Sequence, residues 1–481
     1  GNVTTINRAP FNADWLVATC GNGGIRFSRD GGKNWEEIPL PCGPWARVAK
    51  FQPGYPSRLW AAIAGEGAKL FYTDDFGKTW VQPVTDVRKG LSYPDDWFLS
   101  DRKWKPFTSI NSAFDIEFDP KNPKRVFVGD FFSVWRSDDG GNHFKACPNG
   151  INTLCVYQIS IDPRNPDTIY VNNADLGLLK STDGGKHFRW PFHADPGTGD
   201  QLINETGQLV ISPDNPDRLA ISRTIDWHKP MLAGIHVSSN AGKTWQDQSS
   251  GLPREDVYLT GLVALSRDNR EMLTACSGTA GQPGNVYHTG DGGRSWTPYG
   301  TGLPPAKLFS HNWMTLPNLA ASGQNVYAAT TEGVFHCTRN ERVWRKIGEA
   351  EFKGLQLRSI AVSPAAPEHL WVGTNAGLYV SNDAGKTFRL ASLPGMKMCQ
   401  GVAVDPADPN RWFVAVSAPW WVSDKNMPGV YLTGDGGKTY RRLSDMPGEG
   451  MAWRLTLDPR NRNRLYVGTN GIGAWRTEVT E

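Results

Sequence analysis

Nothing in this chain approaches the unbroken apolar run of about 18 residues that a membrane-spanning helix needs, so no span is expected. Neither sign of charge dominates. With 51 basic against 48 acidic residues, evenly spread and summing to +3, there is no electrostatic footprint for nucleic acid or an anionic membrane. Helical periodicity is almost absent, which excludes a bundle. No charged-then-apolar leader stands at Gly1; an exported protein has lost its signal peptide before this sequence starts, and a secreted or periplasmic location is the expectation. Cysteines are few, seven in 481 residues. Cys147 and Cys155 flank a short loop and can close it as a disulfide, and Cys20 with Cys42 is a second candidate pair. Buried thiols in strands are the alternative for all of them, and the odd count leaves at least one unpaired within the chain.

Turn formers and aromatics are plentiful instead: 52 Gly, 34 Pro, 20 Trp and 20 Phe, between short Val/Ile/Leu/Tyr runs. That is the composition of an all-β protein. One turn motif recurs throughout. Ser28 to Trp35 (SRDGGKNW) returns as Thr73 to Trp80, Ser137 to Phe144, Ser181 to Phe188, Ser238 to Trp245, Thr289 to Trp296, Ser381 to Phe388 and Thr433 to Tyr440. A decayed copy runs from Thr338 to Trp344. The aspartate position recurs at 30, 75, 139, 183, 240, 291, 340, 383 and 435.

Between boxes comes a strand ending in Asp-Pro or Ser-Pro, a polar turn and another strand, as in YQISIDPRNPDTIYVNN and VAVDPADPNRWFVAV. A last such piece, ending near Trp475, follows the ninth box and lacks its own, which makes ten repeats. Each repeat predicts a meander of strands A to D, too thin to bury its own faces; stacking repeats radially buries them. The box is the C–D hairpin. Its Asp accepts backbone N–H groups, Gly supplies the positive-φ position and the closing aromatic packs between blades. The aspartates are thereby explained as structure, and neither metal nor cofactor is expected.

These boxes resemble the Asp-box (BNR) repeats of sialidases, xyloglucan hydrolases and sortilin-type receptor ectodomains, over nearly the whole chain. The resemblance implies a single β-propeller domain over residues 1–481, with about ten four-stranded blades, or eight or nine if the terminal repeats share strands. Function does not follow from it, because the repeat serves enzymes and receptors alike.

Strand order sorts the loops. A–B and C–D turns share one end with the boxes, while the B–C and D–A connections crowd the other and carry the long insertions. Trp97 lies in the D–A insertion after the second repeat, Asp226, Trp227 and His228 in the B–C loop of the fifth, and Trp420 and Trp421 in that of the ninth. His311 and Trp313 enter the seventh repeat. Tryptophan beside Asp, Asn and His suits a sugar, whose ring offers an apolar face and a rim of hydroxyls. Blade packing is the alternative.

Six residues before the Pro of the inner strand stand Arg47 and Arg358, with Tyr157 and Gln400 in the same register and Arg454 one position out. Sialidases are similar in using converging arginines to hold a sugar carboxylate, although their Arg-Ile-Pro signature is missing here. An arginine bridging blades is the structural alternative. The segment from Gly129 to Arg136 is similar to the one that carries a catalytic Asp in xyloglucan hydrolases, which places Asp130 in that role, with Asp175 as its neighbouring-blade equivalent.

The expectation is an extracellular carbohydrate-active enzyme, a glycoside hydrolase or polysaccharide lyase acting on a plant or microbial polysaccharide. Asp130, Asp175 and Asp226 supply acid and base, or His228 or His311 with Tyr157 abstracts the proton beside a uronate. Arg47, Arg358 and Arg454 hold an acidic sugar where there is one. The alternative is a non-catalytic, sortilin-like propeller that binds a peptide.

Overall fold

The computed structural model describes residues 2–43, 45–65, 67–85, 110, 113–130, 134–146, 155–174, 177–188, 191, 206–223, 233–278, 283–305, 318–417, 427–443, 451–471 and 473–479. It is all-β, and the described residues form ten sheets in chain order, one for each repeat, antiparallel but for one parallel pair in the third. The chain divides into two compact units, Gly1–Thr153 with three sheets and Leu154–Glu481 with seven.

The pattern within a sheet follows burial. Several B strands, sandwiched on both faces, read as continuous buried runs. Leu370–Thr374 (LWVGT) and Met272–Cys276 (MLTAC) are buried at every position, so no alternation survives. The outer D strands are the reverse: Gln246–Asp247, Thr297–Pro298 and Arg389–Leu390 are two residues long and exposed. Such short edges offer little to template aggregation. In the first unit Val84–Thr85 pairs parallel with the D strand of the third sheet, His143–Ala146, making that sheet five-stranded.

Neighbouring sheets bury large aromatics against one another. Trp371 of the eighth and Trp412 of the ninth meet edge to face at 5.5 Å, both fully buried. Each such side chain contributes upward of about 2 kcal/mol of hydrophobic stabilisation.

In the second unit the A strands touch in a cycle: Val156–Ile161, Thr206–Ile211, Leu259–Ala264, Leu319–Ser322, Leu357–Val362, Cys399–Asp405, Ala452–Asp458, then Val156–Ile161 again. Specific bonds close it. Arg454 Nε donates to Tyr157 O at 2.9 Å, Thr456 Oγ1 to Ile159 O at 2.8 Å and Arg476 Nη1 to Gly184 O at 3.1 Å. A radial cycle of this kind is the arrangement of a β-propeller. The single ring of about ten expected from the repeats is not confirmed: among the described residues the sheet of the last repeat takes the fourth as a neighbour.

The box turns form as expected. Ser381 Oγ donates to Asp383 Oδ1 at 2.8 Å, Thr387 N–H to the same oxygen at 2.9 Å and Thr387 Oγ1 to Oδ2 at 2.6 Å. These bonds, that of Thr387 Oγ1 foremost, hold the carboxyl down to about 2. Gly385 sits at φ 85°, where a Cβ would come 2.3 Å from Ile347 Cδ1 of the preceding sheet. Positive φ and close approach both demand glycine. The closing aromatics reach across sheets at Trp80, Trp296 and Trp344, whose Nε1 groups donate to Pro39 O, Gln248 O and Tyr299 O. Trp35 and Trp245 fold back instead onto their own turns, at Gly32 O and Gly242 O.

Cys20 and Cys42 are separate thiols, so that expected disulfide is absent. Cys155 Sγ lies 3.1 Å from Asn470 Oδ1, and Cys147 lies outside the described residues.

Candidate functional site

Near the start of most A strands the ladder slips by one residue. In the second unit the pairing jumps over Tyr157, Thr260, Arg358, Gln400 and Trp453, and in the first over Thr4 and Arg47. A β-bulge leaves one residue without a partner across the ladder and re-aims its side chain. The register six residues before Pro is thus a belt of bulges, placed where the B strands end and the B–C and D–A connections attach. In the tenth repeat the bulged residue is Trp453, not Arg454, which accounts for that arginine being one position out.

Three of the belt residues are joined by Arg454. The residue is 6% exposed, and its guanidinium donates through Nε to Tyr157 O and through Nη1 to Gln400 O (3.3 Å) and Trp453 O (3.0 Å). One arginine ties the bulge carbonyls of three consecutive inner strands, and burial without a carboxylate pushes it down to about 9. Arg454 Nη2 has no partner among the described residues. On the eighth sheet Arg358 is equally buried, gives one bond to Gln356 Oε1 and is also lowered by burial. Tyr157 is buried against Trp453, ring centroids 6.3 Å apart.

In the first unit Arg47 lies over the half-exposed ring of Phe114, 4.5 Å from its centroid. The Phe114 N–H donates to Gly129 O at 2.8 Å, one residue before Asp130. Asp130 follows the B strand Asn122–Gly129, is half-buried, and accepts a 2.8 Å bond from Nε1 of the fully buried Trp135. Arg47 and Asp130 thus occupy the same end of adjacent sheets, the second and third. Arg47 belongs to the first compact unit and Arg358 and Arg454 to the second, where the A-strand neighbours of Ala452–Asp458 are Cys399–Asp405 and Val156–Ile161.

Asp175, Asp226, His228, Trp97, Trp227, His311, Trp313, Trp420 and Trp421 lie outside the described residues. Sequence reasoning missed Trp453, although its register matched Arg358. It also missed a polar network in the fifth sheet: the buried His236 beside Asp247, with Asp247 taking bonds from Ser249 Oγ and Arg254 Nη2. Among the described residues no His/Cys/Asp/Glu cluster suits a metal ion, and no helix is long and apolar enough to cross a membrane.

No protein-family model matches the chain. It is 23% identical to a xyloglucanase of a Paenibacillus species, across 98% of this chain and 41% of that protein. An oligoxyloglucan-reducing end-specific xyloglucanase of Emericella nidulans is 24% identical across 63% of this chain and 36% of its own length. The chain thus spans about two fifths of these curated relatives. Among solved structures, YCF48 from Cyanidioschyzon merolae superposes with a TM-score of 0.48 at 16% identity, covering 68% of this chain and 96% of that one. The GH74 xyloglucanase from Xanthomonas campestris superposes with a TM-score of 0.30 at 16% identity, covering 100% and 91%.

Proposed function

We propose that this chain is a glycoside hydrolase, or the segment of one, that cleaves a plant polysaccharide of the xyloglucan type outside the cell. The observation that carries the reading is the 98% of the chain aligned with a xyloglucanase. Asp130 adds chemical support. A carboxylate on a rigid strand end, half-buried and oriented by an indole N–H, is pre-organised for acid–base work, and a hydrogen bond to its ionised form favours the base role.

Hydrolysis of a glycosidic bond needs a second carboxylate. Asp175 and Asp226 are the candidates, and Trp97, Trp227, Trp420, Trp421, His311 and Trp313 are the candidate sugar contacts. Arg47 over Phe114 lines the approach to Asp130. A lyase acting through His228 or Tyr157 has less support, because the Tyr157 ring is packed against Trp453 inside the ring.

The test is incubation with xyloglucan, unsubstituted β-glucan and polygalacturonate, following new reducing ends and the absorbance of unsaturated uronates. Reducing ends from xyloglucan are expected. Unsaturated uronates from polygalacturonate would replace the hydrolase by a lyase. No product from any substrate, with saturable peptide binding, would leave the receptor-like alternative in its place.

A further inference from the structure

Among the described residues five sheets carry an arginine at or just before the apolar stretch of the B strand, and in four of them a carboxylate neutralises it. Arg58 is forked on Asp74, Arg125 pairs with Asp119 and Asp138, Arg411 with Asp405, and Arg464 with Asp458 and Glu478. Two positions supply most of these acids: the residue before the box Asp (Asp74, Asp138) and the last residue of strand A (Asp119, Asp405, Asp458). In the fifth sheet the arginine is Arg218, and both acid positions are serine, Ser239 and Ser212. No carboxylate among the described residues lies within ion-pair distance of Arg218, and its Nε is buried without a partner.

Arg218 does not face solid protein. It lines a cavity of about 480 Å³ on the box end, between the fifth and sixth sheets, together with Ser239, Arg270, Asp291 and Arg294. Its guanidinium lies against the box glycine of the next sheet, where a Cβ on Gly292 would meet Nη2 at 2.0 Å. Arg270 has only a long 3.5 Å pair with Asp268. The one lining carboxylate, Asp291, is committed to its own turn through Thr289 Oγ1, Ser295 N–H and Ser295 Oγ. Three cations against one carboxylate leave the cavity with a net charge of +2.

We propose that this cavity binds an oxyanion: sulfate, phosphate or the carboxylate of an acidic sugar, held on the forked donors of Arg218 with Arg270 and Arg294 at the rim. The four paired arginines are the internal control. Where the fold needs this side chain only as a strut, it supplies the counter-ion; here both counter-ion positions are vacated and a cavity opens in front of the fork. The site lies at the end of the sheets opposite the bulge belt and is independent of glycan cleavage.

Titration calorimetry with inorganic sulfate, inorganic phosphate and digalacturonate, at constant ionic strength, tests it. Saturable binding of at least one anion is expected, and the preferred one separates an inorganic ion from a sugar acid. Arg218→Gln should weaken it by about tenfold or more, the loss of one or two charge-assisted bonds. Ser239→Asp, which restores the acid found before the box in the second and third sheets, should weaken it as much without loss of thermal stability. It decides the matter should Arg218→Gln fail to fold. No binding by the unmodified protein, or undiminished binding by Ser239→Asp, overturns the proposal.

Discussion

Acidification from pH 7 to pH 5 should destabilise the protein through one buried histidine. His236 lies on the C strand Gly234–Ser238, 2% exposed, with no hydrogen-bond partner for Nδ1 among the described residues. Burial disfavours the imidazolium and, with Asp247 opposing and Arg223 and Arg254 assisting, pushes the group down to about 4. In the unfolded chain it titrates near its ordinary value of about 6.5. Below that pH the unfolded chain takes up a proton that the folded chain refuses, so stability is complete above about 6.5 and falls as pH drops toward 4. The full gap of about 2.5 units is worth about 3 kcal/mol, of which about 2 kcal/mol is lost by pH 5. Asp247 acts outside this window. Burial works against its ionised form, but Ser249, His236 and Arg254 hold it below its usual value, so its contribution is lost only at lower pH. Urea unfolding at pH 7 and pH 5 measures the effect, with His236→Gln as reference. The unmodified protein should lose about 2 kcal/mol more than the variant. Equal losses would refute the assignment of His236 as a neutral buried group.

Other outcomes follow from the scaffold. Asp383→Ala, which removes the acceptor for Ser381 and Thr387, should lower stability by about 1–2 kcal/mol in denaturant and leave glycan turnover unchanged. A large loss of turnover would return the boxes to the list of functional groups. Trp412→Ala, which opens a cavity between the eighth and ninth sheets, should cost about 3–5 kcal/mol and lower the melting temperature markedly.

The repeat was legible because its signals are local. A Ser or Thr, an Asp two residues on and two turn residues write the hairpin directly, and ten sheets follow from ten repeats. The Pro-based register located Tyr157, Arg358 and Gln400, each of which proves to be a bulge. The contact between the last and the fourth sheets was not legible. It depends on Arg454 and Thr456 reaching carbonyls about 300 residues away in sequence, and no local pattern marks which sheet becomes the neighbour of the last. The same holds for Val84–Thr85, too short to carry a strand signal, which joins the third sheet. The unneutralised Arg218 was readable, since serine replaces both acids of the paired sheets. It emerges only when each arginine is aligned with the carboxylate it meets. Of the proposed site, Asp130 and Arg47 stand at one end of neighbouring sheets, whereas the candidate sugar contacts of the long insertions lie outside the described residues.

Turnover of xyloglucan by the Asp130→Asn variant tests the central claim most directly. A drop in kcat of about 10²–10⁴ is expected, with melting temperature and oligosaccharide affinity unchanged, as for a general base replaced by its neutral isostere. Hydrolysis by the variant at the unmodified rate would contradict the account.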